Sequence, residues 1–386
     1  MDDGQALRSA RESAGVSLSA LASEMHYTKG YVSLLERGQR TLTPELAIEY
    51  REALARIEID QGGDDDVKRR EFVGYTVTAS VSLGLPEHRS VDSSLLAELR
   101  TRTQRFRRMD RYMGGNDTFP LYLSEFERTA GLAKTLPSTE RLGMRLLAIV
   151  AEQAQQAGWA AFDGGKLNEA RHLFDASRSI AVEAKDSALH GNALAFLSYM
   201  ESEPTQRVYL AEESRRIGRS VPHPSVRALL FERLAWAYAT TGQAREADWA
   251  MDDARRALAE PVTEEPPDWA AWVDETELDI MQGRCGSVLG RSESVTTLET
   301  ALSRYDDAEA RDKALYLSWL ADAQLDTGEV EQAAETTVRI AELSAGVASV
   351  RPAERLSRLV GRLTPHNEST AVATALDVAR SVTDRL

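Results

Sequence analysis

Between Leu7 and Leu54 apolar residues recur at i, i+3 and i+4 in short bursts, each bounded by a helix-starting or helix-stopping residue. Leu7 to Ala14 reads as one helix. Ser17 caps a second, whose Leu21 and Ala22 point inward and which stops near Met25. Thr28 caps a third over Lys29 to Arg37, closed by Gly38, and Thr43-Pro44-Glu45 supplies a cap, a first-turn proline and a dipole-favoured acid for a fourth. From about Ser93 onward the same period continues almost without interruption, with Ala, Leu, Glu and Arg dominant and no segment alternating as a strand does. The pattern predicts an all-α chain.

Residues 61–66 read QGGDDD, a glycine pair before three like charges, which cannot bury apolar area and predicts a flexible joint. Three regions follow: a small helical bundle over 1–60, a linker and connecting helix over 61–92, and a long helical body over 93–386. The stretch KRREFVGYTVTASVSLGLP from Lys68 superficially resembles a twin-arginine export signal, but it follows a complete folded unit and reads instead as the connecting helix.

The body repeats itself. Gly165-Lys166-Leu167-Asn168-Glu169-Ala170 aligns with Gly242-Gln243-Ala244-Arg245-Glu246-Ala247 and with Gly328-Glu329-Val330-Glu331-Gln332-Ala333, while Gly290 to Ser294 is a copy one residue shorter in the turn. The small markers Ala170, Ala247, Ser294 and Ala333, with a fainter copy near Val208, are spaced by about 38, 39, 47 and 39 residues. The long interval holds the insertion PVTEEPPD (261–268), so the underlying period is near 39. Each unit places a small residue where two helices cross, a large one (Phe174, Met251) a turn later, and glycine in the turn. Such units cannot bury their faces alone and stack into an α-solenoid. Six helix pairs are expected between Ser93 and Gly346, then two terminal helices after Pro352, the last from about Ser369 to Arg385.

The formal charge is -15, from 46 basic and 61 acidic residues, which opposes non-specific DNA binding. The acidity is not uniform. From Leu7 to Arg40 the five basic residues Arg8, Arg11, Lys29, Arg37 and Arg40 outnumber Glu12, Glu24 and Glu36. Two short helices joined by about three residues and braced on each side form a helix-turn-helix, in which the second helix enters the major groove. The alternative is a helical bundle used for protein contact.

Leu7, Arg8, Arg11, Gly15, Ser17, Leu21, Ala22, Thr28, Tyr31, Ser33, Glu36, Arg37 and Gly38 resemble the phage-repressor, or Xre-type, helix-turn-helix family over about Leu7 to Leu54. The resemblance implies that Lys29, Gly30, Ser33 and Leu34 face base edges, that Tyr31 and Arg37 lie near the phosphate backbone, and that Ser17, Thr28 and Arg40 border the duplex. Lys29 can donate to guanine, Ser33 can donate or accept, and Leu34 can touch only a thymine methyl. Where the family commonly carries Gln at the first position of the helix before the turn, this chain has Leu18. That thin reading surface leaves more of the specificity to DNA shape. Arg8, Arg11, Arg37 and Arg40 read equally as surface charges or as partners of Glu12 and Glu36.

The run Phe231, Leu234, Ala235, Tyr238, Gly242, Ala247, Met251, Ala254 resembles the tetratricopeptide repeat, although the period exceeds that family's ~34 residues. An Xre-type reader followed by such repeats is similar to the RRNPP regulators, which sense short signalling peptides in quorum sensing. The resemblance implies a sequence-specific, homodimeric transcriptional regulator with double-stranded DNA as one partner and a peptide or small effector as another. A non-enzymatic scaffold whose repeats bind a protein is the alternative. Groove-facing candidates are Glu152, Gln155, Trp159, His190, Glu232, Trp236, Asp279, Ser318 and Asp322, whose carboxylates predict a basic ligand. Asn192 is a further candidate, because the peptide sensors clamp a ligand backbone with Asn. Trp159 and Trp236 read equally as core between repeats.

Arg100, Arg102, Arg105, Arg107, Arg108 and Arg111 cover most sides of a helix, as expected for a solvated face with acidic partners; contact with flanking DNA or with a peptide carboxylate is the other reading. Gly164-Gly165-Lys166 lacks the rest of a phosphate loop, six histidines show no metal-ligand spacing, and no nucleophile elbow is present. The expectation is no enzyme, no cofactor and no metal. One cysteine, Cys285, reads as a buried small hydrophobe. No apolar run approaches the ~20 residues of a membrane span and no signal segment is evident, so a cytoplasmic location is expected.

Overall fold

The structure, a computed structural model, describes residues 3–25, 27–40, 46, 50, 53–54, 57, 90–109, 113–262, 264–344 and 349–383. Among these residues every regular element is a helix. The chain divides into two compact units, Met1–Glu87 and His88–Leu386. The expected joint at 61–66, the connecting helix, the start of the fourth N-terminal helix at 43–45, Arg111 and the final residues after 383 lie outside the described residues.

In the first unit, α1 (Asp3–Ser13), α2 (Leu18–Glu24) and α3 (Lys29–Glu36) follow the pattern of caps in the sequence. Ser17 accepts from the Ala20 N–H at 3.1 Å and Thr28 from the Tyr31 N–H at 3.2 Å, each satisfying a backbone donor that the first turn leaves free. Gly15 and Gly38 follow α1 and α3 with φ of +67° and +65°, backbone that other residues adopt only with strain. Leu7, Val16, Leu21, Ala22, Met25, Val32, Tyr50, Ala53, Leu54 and Ile57 form the core.

The second unit runs α4 (Ser93–Met109), α5 (Gly115–Thr135), α6 (Glu140–Asp163), α7 (Leu167–Glu183), α8 (Ser187–Met200), α9 (Pro204–Gly218), α10 (Pro224–Thr240), α11 (Ala244–Leu258), α12 (Glu275–Val288), α13 (Ser294–Leu302), α14 (Ala310–Thr327), α15 (Val330–Ser344), α16 (Val350–Leu363) and α17 (Thr370–Thr383). From α6 to α15 successive helices pack as pairs, and the first helices of the pairs from α8 to α14 lie in a continuous row, so this part of the unit is an α-solenoid. The expected first pair departs from the pattern. α5 lies along α6 instead of α4, while α4 is tied to α6 by a 3.0 Å bond from Gln153 to Thr103.

The marker residues stand at the crossings: Ala170, Ala247, Ser294 and Ala333 are buried, and Gly165, Gly242, Gly290 and Gly328 all take positive φ in the turns. Twelve residues before the marker, or eleven where the turn is shorter, the partner helix carries Gly158, Ala235, Gly283 or Ala321. A Cβ at Gly158 would come within 2.7 Å of the Phe174 ring, and one at Gly283 within 2.5 Å of Leu298. The faint copy near Val208 is corrected. Ala211 and Ser214 are the buried small residues of α9, and Ser214 donates to the Gly191 carbonyl at 2.7 Å. Here Glu203 and Pro204 start the helix in place of a glycine turn, which moves the register.

α16 begins two residues before Pro352 and closes the solenoid upon itself. Arg351 and Arg355 are one helical turn apart, about 6 Å of rise. Yet Arg351 rests 4.8 Å from the Trp159 ring on α6 and Arg355 lies 3.6 Å from the Trp319 ring on α14. The superhelix therefore brings its first and last pairs to opposite ends of one turn of α16. Leu356, Leu359 and Leu363 anchor that helix in the core.

Replacing Ala247 with Leu overfills a crossing and is expected to cost about 1–3 kcal/mol in urea unfolding. Trp249→Ala, on the exposed side of the same helix, is expected to change stability by under ~0.5 kcal/mol.

Candidate functional site

The inner side of α3 is fixed by a buried ionic network. Arg11 Nε and its terminal nitrogen donate to the two carboxylate oxygens of Glu36 at 2.7 and 2.9 Å, and a third nitrogen donates to the Val16 carbonyl at 2.9 Å. Tyr50 donates its hydroxyl to the same carboxylate. The Glu36 hydrogen bond holds Arg11 above its ordinary range despite burial, and burial together with the Glu36 bond raises Tyr50, so Arg11 stays charged and the phenol neutral. Arg11 thus orients α3 against α1, and of the arginines weighed as contacts it is removed from the duplex face. Arg8 pairs with Glu12 at 2.8 Å on the surface.

With Val32, Leu35 and Glu36 turned inward, α3 presents Lys29 and Gly30 exposed and Ser33 and Leu34 partly so. Arg37 is exposed just beyond, its Nε donating to the Ser33 carbonyl at 3.1 Å. Tyr31 stacks on Tyr27 with centroids 4.8 Å apart, and the Arg40 guanidinium covers it at 4.6 Å. This rim presents a cation on an aromatic ledge. Ser17 and Thr28 act as acceptors in their caps, which leaves each hydroxyl hydrogen for another acceptor. Leu18, standing where the family has Gln, is half-buried against the core.

In the solenoid, the residue after each small crossing residue shares one face: Trp159, Phe196, Trp236, Arg284 and Asp322 follow Gly158, Ala195, Ala235, Gly283 and Ala321. They belong to a connected layer. Trp159 meets Phe196 at 5.3 Å, Tyr199 meets Trp236 at 6.2 Å, Trp236 meets Trp319 edge-on at 5.2 Å, and the Arg284 guanidinium sits 4.5 Å from the Trp236 ring. Arg284 also donates to the Tyr199 hydroxyl at 2.9 Å. Burial alone would raise the Tyr199 phenol, but Arg284, Arg351 and Arg233 outweigh it and bring it down to about 7.

The other candidates divide. Glu232 joins this layer through an ion pair with Arg233 at 3.2 Å, and burial pushes its carboxyl up. Gln155 and Asn192 do not face a ligand: lying three residues before the small positions, they are buried between repeats. Asn192 donates to Gln155 at 2.7 Å, and Gln155 donates to Ser177 and the Leu189 carbonyl. Asp279 is held at 2.9 and 3.0 Å by Arg255 and Arg304, away from the layer. The shorter turn shifts the register there, and the layer position belongs to Arg284. Asp322 is buried beneath α16, paired with Arg355 and with Arg362 at 2.8 Å, and Ser318 accepts from Arg355 at 2.9 Å. Glu152 is paired with Arg107, which also reaches Asp268 at 2.8 Å. His190 lies instead in a surface groove of about 570 Å³ with Arg178, Val182, Tyr209, Glu213 and Arg216.

Of the arginine run, Arg102 clasps Glu125 at 2.9 Å and Arg107 is paired as above, so two members meet acidic partners within the fold. Cys285 is buried and its thiol is pushed up to about 12 by that burial. No helix among the described residues is long and apolar enough to cross a membrane.

A family described as a helix-turn-helix domain matches residues 4–56. No curated protein matches the chain. The N-terminal unit is therefore a helix-turn-helix domain, which supports a DNA-binding regulator in general.

Glu36→Ala removes the two-bond partner of buried Arg11, leaving it the Val16 carbonyl and exposed Glu12 at 3.6 Å, and is expected to cost about 3–5 kcal/mol in the N-terminal unit, read as lost amide-exchange protection in α1 and α3. The double change Arg11→Met and Glu36→Leu is expected to recover most of that protection.

Proposed function

We propose that the protein is a non-enzymatic transcriptional regulator that reads DNA through α3 as a homodimer and uses its solenoid to sense a peptide or small effector. The observation that carries the proposal is the division of α3. One side is locked by Arg11, Glu36 and Tyr50, while Lys29, Gly30, Ser33, Leu34 and Arg37 stand on the other, exposed or partly exposed. A single short recognition helix gains useful affinity when a twofold mate presents a second copy one helical turn of DNA away, and this is the reason for a dimer. Effector binding would act by changing the curvature of the helix stack or the packing of the dimer, and so the spacing of the two readers. A cytoplasmic location is part of the same proposal.

A second reading, a scaffold that binds a protein partner, draws support from the surface groove on α7 to α9, where Val182 and Tyr209 are each 55% exposed.

Fluorescence anisotropy with genomic fragments tests the proposal. The protein is expected to select a twofold-symmetric site, with Lys29→Ala and Ser33→Ala each costing about 1–3 kcal/mol for that site and little for random DNA. Arg37→Ala is expected to weaken both and to lower the salt slope by about one. Equal binding to all fragments, unchanged by these substitutions, would leave the scaffold reading in its place.

A further inference from the structure

The sensing role proposed above does not say what chemistry the solenoid recognises, and the acidic candidates in the sequence point to a basic ligand. The side chains assembled by the fold point the other way. Two guanidinium groups meet at the Tyr199 hydroxyl, Arg284 of α12, which donates to it at 2.9 Å, and Arg351 of α16, 3.5 Å away, while a third, Arg233 of α10, lies 5.4 Å from the ring. A phenol is a weak acceptor for two cations. Its displacement toward the ionised form reports the positive potential at that point.

Two buried donors beside it have no acceptor. Arg284, 2% exposed, leaves its Nε without a hydrogen bond, and Trp319 leaves its indole Nε1 likewise. Buried polar groups are ordinarily satisfied, and an unmet donor of a charged group costs more than a neutral one. Of the nearby carboxyls, Glu232 pairs with Arg233 at 3.2 Å. Neither Glu232 nor Glu277 has a hydrogen bond to Arg284, and burial raises both carboxyls, Glu277 to about 8. Asp163 faces Arg351 at 3.7 Å, but its oxygens already accept from Ser349 at 2.8 Å and from the Gly115 N–H at 2.9 Å. Trp159 and Tyr199, partly exposed, provide aromatic surface beside the same point.

We propose that the inner layer of the solenoid is a binding site for a carboxylate carried next to an aromatic or branched apolar group, with Arg284 and Arg351 as the anion contacts and Trp159 and Tyr199 as the apolar wall. Planar guanidinium groups suit a carboxylate through paired, charge-assisted hydrogen bonds. The free C-terminus of a short apolar peptide and a small arylacetic acid both carry this chemistry.

The test uses the full chain, intrinsic tryptophan fluorescence and calorimetry, with two matched probe pairs: N-acetyl-Leu-Phe against its C-terminal amide, and indole-3-acetate against indole-3-acetamide. The carboxylate member of at least one pair is expected to bind and raise Tm, and the amide, lacking the charge, to bind roughly 10- to 100-fold more weakly. Which pair responds identifies a peptide terminus or a small acid as the source. Arg351→Gln, at the edge of the site, is expected to weaken the carboxylate about tenfold while leaving the amide unchanged, and Arg351→Lys to recover part of the loss. This variant keeps the test sound if Arg284→Met fails to fold. Equal affinity for acid and amide, or no binding of any probe at millimolar concentration, overturns the site. DNA affinity is followed in parallel: carboxylate binding that leaves it unchanged supports the site and removes the sensing role.

Discussion

The solenoid depends on one steric constraint, the close crossing of the two helices in each pair. Gly158 against Phe174 and Gly283 against Leu298 leave no room for a Cβ, and the markers Ala170, Ala247, Ser294 and Ala333 on the opposing helices are buried. Close-packed interiors transmit such limits, because a displaced helix cannot relax without opening voids elsewhere. The crossings fix the rotation of each first helix about its axis. Every residue one step after the small position therefore faces the same way, from Trp159 through Trp236 to Asp322.

That alignment alone would give an open groove. The groove is closed because α16 carries arginines on one side and leucines on another, and both find partners. Leu356 and Leu359 enter the core of the last pairs, while Arg355 stacks on Trp319 and Arg351 on Trp159. Arginine stacked on an indole keeps much of its polar edge available, which lets the same residue pack and recognise an anion. The resulting interior is richer in arginine than the acidic composition suggests.

In the helix-turn-helix unit the order is reversed, with charge used inside for orientation and polar groups left outside. The Arg11–Glu36 pair is bidentate and nearly buried, and the Tyr50 hydroxyl completes the carboxylate. A buried pair of this kind is weak evidence for stability but a strong restraint on geometry. Here it sets which side of α3 faces outward, and so links the short core of the unit to its exposed face.

The sequence by itself determined the helices of both units, because caps, turn glycines and apolar spacing are local signals. Ser17, Thr28, Gly38 and the glycines before each marker specify their turns without help from distant residues, and of the six pairs expected, five stand in the structure, followed by the two terminal helices. Side-chain destinations were less legible. One missing turn residue shifts the register at Asp279 by one position, so that Ile280 stands where Glu232 and Ser318 do and Arg284 where Trp236 and Asp322 do, and Gln155 and Asn192 are spent on each other because they lie on the flank between neighbouring repeats. The twelve-residue offset between small positions carries that information, although the identity of Arg284 gives no hint of it. Only tertiary structure decided that residues near 160, 200, 235, 284 and 350 meet at one point. Superhelical curvature accumulates over every pair, and the helix that closes it comes from the far end of the chain.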